Sequence, residues 1–464
     1  MKKTIAAGLA SDPRIEQAKK LLLETIADHQ RNITGIRPPY AESKQSYEES
    51  LCQFQQVRGA PLFYPYIGSG IGRGPFVELA DGSIKYDFIS GIGVHHWGHS
   101  HPSVIEASLD GALEDTVMQG NLQQNAESLE VAGLLVEGAN RKGARLKHCF
   151  LSTSGAMANE NAFKIVFQKK SPADRILAFD GCFAGRTLAL AQVTDKPLYR
   201  SGVPSFLSVD YIPFFDPSRP AESIKTACGQ LVRHLERYPG KHAAMVFELI
   251  LGEGGFYVGN RDFFVALMEI LRQHGIAILV DEIQTFSRTT ELFAFQHFEL
   301  DDYVDVVTLG KSAQVCATLF TAEYNPRPGL LSQTFISSTS ALCAAKVIIR
   351  GLMEGNYFGK DGRITRLHDH FEKRLIKIAE RHPGLVTGPY GMGGMIAFTP
   401  FDGDADKVKR FVEALFKAGV ICFYAGHDPT RVRFLIPVGA VTFDDIDAVA
   451  SIVEETLLRE LGRS

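Results

Sequence analysis

The sequence predicts an α/β protein with a mainly parallel, doubly wound sheet, followed by a smaller α+β domain. Between about residues 145 and 320, short apolar runs alternate with helical patterns. "KHCFLST", "RILAF", "AAMVFEL", "IAILVDE" and "VDVVTLG" read as buried strands, with "AMANENAFKIVFQKK" and "RDFFVALMEILRQHG" as helices between them. Strand, crossover helix and strand in succession make a parallel sheet with helices on both faces, and such sheets bind ligands at the carboxyl ends of their strands. From about residue 331, the helical "ALCAAKVIIRGLMEG" and "ITRLHDHFEKRLIKIAERH" lead into the strand-like "GGMIAF" and "RVRFLIPV", the pattern of an α+β unit without repeats.

The elements follow in chain order. The opening "MKKTIAAGLASDPR" imitates a secretory signal, but its apolar run ends at Ala10 and is interrupted by Gly8, too short for an h-region. In residues 14–31, Ile15, Leu22, Leu23 and Ile26 fall at helical spacing and predict an amphipathic packing helix. "RGAPLFYPYIGSGIGRG" is dense in Gly and Pro and reads as loop. A dinucleotide-binding G-x-G-x-x-G starting at Gly68 fails, because its last glycine falls on Arg73. The predicted division is an N-terminal segment, 1–73, packed with the small domain, a large domain, 74–330, and the small domain, 331–464.

Composition narrows the partners. The 464 residues are 45% hydrophobic and 22% charged with net charge −4, an ordinary globular balance. No Lys/Arg block is long enough to track a phosphate backbone, so nucleic acid is excluded as a partner. Seven scattered cysteines without a C-x-x-C predict reduced thiols and no structural zinc. No apolar run reaches the 18 residues of a membrane span. A cytoplasmic protein acting on small molecules is expected.

The chemistry gathers around three motifs. Gly310-Lys311-Ser312 looks like the end of a phosphate-binding P-loop, but that motif needs glycine where Asp305 stands. Lys311 follows a buried strand instead, where desolvation turns an ammonium into a carbonyl-seeking amine; the alternative is a surface lysine snorkelling from the strand end. Asp281 is the first polar residue after the apolar "AILV" and emerges at the same sheet edge, as a buried carboxylate in need of a cation, as a helix N-cap, or as an ion-pair partner of Lys311. Ser154-Gly155-Ala156 opens a helix after a strand, a turn whose free N–H groups suit an anion, although Ser-Gly also caps helices that bind nothing. An amine, a buried carboxylate and a phosphate turn together call for a phosphorylated aldehyde with a cationic ring, which is pyridoxal 5'-phosphate. On this reading Lys311 attaches covalently to the aldehyde, Asp281 pairs with the ring nitrogen and residues 154–156 hold the phosphate.

From about residue 74 to 440 the chain resembles the class III (ornithine-type, ω-) aminotransferases of pyridoxal-phosphate fold type I. "LVDEIQTFSRTTELFAFQHFELDDYVDVVTLGK" resembles their signature around Asp281 and Lys311, and "STSGAMANENAFK" their phosphate turn. "FDGCFAGRTLA" and "MVFELILGEGG" are similar to two further family segments, and "GK-x-x-QVC" is similar to lysine ε-aminotransferases. The resemblance implies that Phe183 stacks on the ring and Gln284 bonds its phenolic oxygen. It implies that Thr334 reaches the phosphate of a neighbouring subunit, hence a homodimer with shared sites. By the same resemblance Arg433 takes an α-carboxylate, Arg186 a distal carboxylate, and Glu253 pairs with Arg433 when an ω-amine binds. Ala184, Leu249, the 312–316 loop and 336–338 depart from the family pattern. The implied reaction moves a terminal amine from a lysine-, ornithine-, acetylornithine- or 4-aminobutyrate-like donor to 2-oxoglutarate. Decarboxylation, racemisation, aminomutase chemistry and binding without turnover are the alternatives.

Overall fold

The computed structural model describes residues 4–462, so Met1 to Lys3 of the signal-like opening lie outside the described residues. Helix α1, Pro13–Gln30, starts where Asp12 accepts the Arg14 N–H at 2.9 Å and proline occupies the first turn, both good helix starts. It covers the amphipathic stretch expected near the N-terminus. The expectation of loop through 58–74 is corrected at its end: Gly68–Arg73 is a strand antiparallel to Phe76–Leu79, with a register shift between Gly68 and Gly72. A strand rich in glycine has no side-chain alternation to read, so only its partner reveals it. Phe76–Leu79 pairs in turn with Ile84–Asp87, which takes Val420–Ile421 as a parallel neighbour.

The central sheet has seven strands: β1 (Leu146–Ser152), β2 (Arg175–Phe179), β3 (Ser208–Ile212), β4 (His242–Phe247), β5 (Ala277–Glu282), β6 (Val306–Leu309) and β7 (Cys316–Thr321). Their order is β1-β7-β6-β5-β4-β2-β3, and every neighbouring pair is parallel except the two that β7 makes. Residues 310–315 are too few for a crossover, so β7 must return antiparallel to β6. Lys311 therefore lies in a tight reversal between two sheet neighbours.

Helices α2 (Gly155–Lys170), α3 (Pro220–Arg237) and α4 (Arg261–Gln273) connect the strands. In α4, Phe263, Phe264, Leu267, Met268 and Leu271 are buried at helical spacing, and Asn260 caps it by accepting the Phe263 N–H at 2.8 Å. Strands β4 and β5 are buried along their whole length, the mark of sheet covered on both faces.

Beyond α5 (Thr339–Glu354) and α6 (Arg363–Arg381), strands β8 (Val386–Met392), β9 (Met395–Pro400), β10 (Phe423–Ala425) and β11 (Arg431–Leu435) form a second sheet, antiparallel throughout. Helices α7 (Ala405–Ala418) and α8 (Phe443–Leu461) pack with it around a core of its own that includes Phe371, Phe398, Phe411, Phe434 and Val449. Among the described residues no helix is long and apolar enough to cross a membrane.

Candidate active site

The site forms where β1, β5 and β6 end and β11 approaches from the second sheet. Parallel pairing sets Asp281 of β5 opposite Thr308 of β6, so the edge that carries Asp281 also carries the Lys311 reversal. Asp281 is buried; its Oδ1 accepts the Ile283 N–H at 2.9 Å and its Oδ2 accepts Asn159 Nδ2 at 2.8 Å. Burial pushes its carboxyl up to about 6, and these bonds together with the Lys311 charge hold it from rising further.

Lys311 has φ of 51°, a left-handed conformation seldom adopted by a side-chain-bearing residue and common at functional turns. Burial lowers its ammonium to about 8; Glu253 and Asp281 oppose that drop, while Arg433 and Arg288 add to it. No carboxylate lies within 4.0 Å of its Nζ among the described residues, which removes a direct ion pair with Asp281.

Ser154 caps α2 by accepting the Met157 N–H at 3.2 Å, and the Gly155 and Ala156 N–H groups carry no hydrogen bond among the described residues. A side chain at Gly155 would meet Ile283 Cδ1 at 2.9 Å and Cγ2 at 3.0 Å, so a larger residue there would have to displace the Ile283 side chain beside Asp281. Phe183 is half-buried, and its N–H donates to Glu248 Oε2 at 2.7 Å. Gln284 is buried and accepts Arg433 Nη1 at 3.3 Å through Oε1.

Arg433, 1% exposed, donates from Nη2 to Glu253 Oε1 at 2.5 Å and from Nη1 to the Gly252 carbonyl at 3.2 Å. Burial acts to raise Glu253, yet the Arg433 and Lys311 charges outweigh it and hold the carboxyl below its ordinary value. Arg186 is exposed; its Nη2 donates to the Tyr199 hydroxyl at 3.0 Å and its guanidinium lies 4.2 Å from that ring's centre. Thr334 is exposed on a loop whose backbone packs against Gly120, and its side chain makes no hydrogen bond to the 154–156 turn of its own chain. The structure thus gathers Lys311, Asp281, Gln284, Glu253 and Arg433 together, sets the 154–156 turn beside them, and leaves Thr334 outside.

Sequence reasoning missed Asn159. Its Nδ2 donates to Asp281 and, at 2.8 Å, to the Ala184 carbonyl, while its Oδ1 accepts the Thr308 hydroxyl at 2.7 Å. The Thr308 bond fixes the amide's orientation, so its donor faces the carboxylate. The sequence offers only an asparagine one helical turn past Gly155, and the structure shows it buried. Glu248, pushed up to about 8 by burial and then by the charge of Asp281, was also absent from the expected set.

Pyridoxal phosphate needs an amine that gives up its proton more readily than an ordinary lysine, a buried carboxylate short of a cation, and unpaired N–H groups for a phosphate. Lys311, Asp281 and the Gly155–Ala156 turn supply these. The Aminotransferase class-III family model matches residues 67–457. The chain belongs to the class-III aminotransferases. An acetylornithine aminotransferase of Methanocaldococcus jannaschii is 29% identical to this aminotransferase over 402 residues, 83% of this chain and 92% of the relative. One from Corynebacterium efficiens is 30% identical over 429 residues, 89% and 98% of the two chains. The solved lysine aminotransferase from M. tuberculosis superposes with a TM-score of 0.79 at 23% identity, covering 88% of this chain and 99% of its own. The enzyme thus has the expected fold type I architecture and works with pyridoxal phosphate.

Proposed function

We propose that this aminotransferase takes the terminal amine of a lysine-, ornithine-, acetylornithine- or 4-aminobutyrate-like donor and passes it to 2-oxoglutarate, forming glutamate. The observation that carries this reading is the pair of buried Arg433 with partly buried Glu253, 2.5 Å apart, beside Lys311. An ω-amine donor brings a methylene to the place where glutamate brings a carboxylate. An arginine facing a methylene would be a costly unpaired charge, and Glu253 removes that cost. When glutamate reacts, its α-carboxylate replaces Glu253 on Arg433, and Arg186 holds the distal carboxylate. Names of the relatives support the donor class, since acetylornithine also offers a terminal amine.

The bound cofactor supplies an electron sink for the bond broken at the amine-bearing carbon. Lys311 holds it covalently and, once displaced, takes and returns that carbon's proton at Nζ. Asp281 keeps the ring nitrogen protonated, Gln284 bonds the ring's phenolic oxygen, Phe183 stacks on the ring, and Ser154, Gly155 and Ala156 receive the phosphate. Thr334 serves the phosphate of a second copy. The large apolar side chains exposed near it, Val117, Leu122 and Phe335, at 63%, 99% and 55%, favour a homodimer that covers them. In this scheme the cofactor-holding unit lies within 74–330 and the unit that brings Arg433 within 331–464.

The test is a donor screen with 2-oxoglutarate that reads glutamate. Glutamate from lysine, ornithine, acetylornithine or 4-aminobutyrate is the expected result; transfer confined to α-amines, or an acceptor other than 2-oxoglutarate, overturns it.

A further inference from the structure

Two residues before Arg433 on β11 stands a second buried arginine that the reaction does not use. Arg431 is 5% exposed, its Nε has no hydrogen-bond partner, and no carboxylate lies within 4.0 Å of it among the described residues. Its guanidinium lies 3.7 Å from the centre of the Tyr390 ring and 4.0 Å from that of Tyr257. Its Nη1 donates to the Gly255 carbonyl at 2.6 Å. A cation held between two rings is stabilised without a counter-ion, and Arg is better suited to that stack than Lys.

These contacts join two parts of the molecule. Tyr390 and Arg431 belong to the second sheet, whereas Tyr257 and Gly255 belong to the 252–257 turn that follows β4 and carries Glu253. That turn is contorted, with φ of 119° at Gly255 and 59° at Phe256, the latter a costly value for an aromatic residue. Such a conformation persists only where surrounding contacts enforce it. Here Gly426 N–H also donates to the Glu253 carbonyl at 3.0 Å, and Arg433 Nη1 to the Gly252 carbonyl at 3.2 Å. Arg431 and Arg433, both on β11, thus grip one turn at Gly255 and at Glu253.

We propose that Arg431 is a positioning residue for donor choice: it clamps the 252–257 turn to β11 so that Glu253 is presented to Arg433 when no substrate carboxylate is there. This rests on the exchange of Glu253 for an α-carboxylate proposed above. Arg431 touches neither substrate nor cofactor and acts through the placement of Glu253. Loosening the clamp weakens the ω-amine half-reaction, which needs the pair formed, and spares the glutamate half-reaction, which needs it broken.

The experiment measures both half-reactions in single turnover on the holoenzyme, with the best ω-amine donor of the screen and with L-glutamate. Arg431→Met, which keeps an unbranched apolar stem and removes charge and hydrogen bond, should shift the ω-to-glutamate ratio about tenfold toward glutamate. Arg431→Lys, which keeps the cation, should stay within about threefold of wild type. Added to Glu253→Ala, Arg431→Met should change the ratio no further. If Arg431→Met does not fold, Tyr390→Leu, which removes one face of the stack, should shift the ratio in the same direction. Equal loss in both half-reactions, or no recovery with lysine, marks Arg431 as a structural clamp only and overturns the proposal. If Glu253→Ala shifts the ratio while Arg431→Met does not, only the positioning role falls; if Glu253→Ala itself shifts nothing, the exchange reading falls and takes this inference with it.

Discussion

Asp281 is a buried carboxylate and Glu253 a partly buried one at the same site, and they shift in opposite directions. Asp281 is pushed up to about 6, because burial is answered only by neutral donors, Asn159 and the Ile283 N–H, and by a lysine out of contact. Glu253 is held below its ordinary value, because Arg433 already touches it. One carboxylate awaits a cation and the other has one. Their settings match: Asp281 lies next to Glu282, the final residue of a fully buried strand, in a hydrogen-bonded cluster, whereas Glu253 rides a contorted turn at the join of two sheets. A fixed partner suits a cofactor that stays, and an exchangeable partner suits substrates that alternate.

Breaking the cofactor side should have the largest effects. Lys311→Ala removes covalent anchor and proton carrier together, and turnover should fall about ten-thousandfold or more. Borohydride reduction of the wild type should trap the cofactor on Lys311 in a peptide map, and mapping to another lysine would contradict this. Asp281→Asn keeps shape but not charge; the loss of ~3 kcal/mol of transition-state stabilisation should slow turnover about a hundredfold. Near-normal rates would remove its part in holding the ring charge.

Smaller effects sharpen the contrast. Asn159→Ala removes a charge-assisted hydrogen bond and leaves Thr308 unpaired, so cofactor affinity measured by titration of the apoenzyme should weaken about tenfold. The pH dependence of cofactor capture tests the lysine environment. An ammonium lowered to about 8 releases its proton as pH rises through that value, so capture should speed up about tenfold from pH 7 to 9 and then level off. A rate that keeps climbing above pH 9 would show an ordinary, solvated lysine.

The same two regions differ in how far they were legible in the sequence. Continuous apolar runs ending in Asp281 and Gly310 announce buried strands, so the sheet edge and its lysine follow from local pattern. The strand β3 has no clear sequence signal because it lies at the sheet edge and is only partly buried, and β7 has none because no crossover helix precedes it. Asn159 hides within an ordinary helix, and its task depends on a partner far along the chain. Glu253 and Arg433 lie 180 residues apart, and only the resemblance linked them beforehand. Arg431 gave no signal, since "RVRF" reads as strand alternation until Tyr257 and Tyr390 are seen on either side.

The contrast is tested most directly by Glu253→Ala, with both half-reactions followed in single turnover beside the wild type. If the pair with Arg433 contributes ~2 to 3 kcal/mol when an ω-amine binds, the ratio of ω-donor to glutamate efficiency should shift about thirty- to a hundredfold toward glutamate. An unchanged ratio would contradict the exchange and leave Glu253 a structural acid.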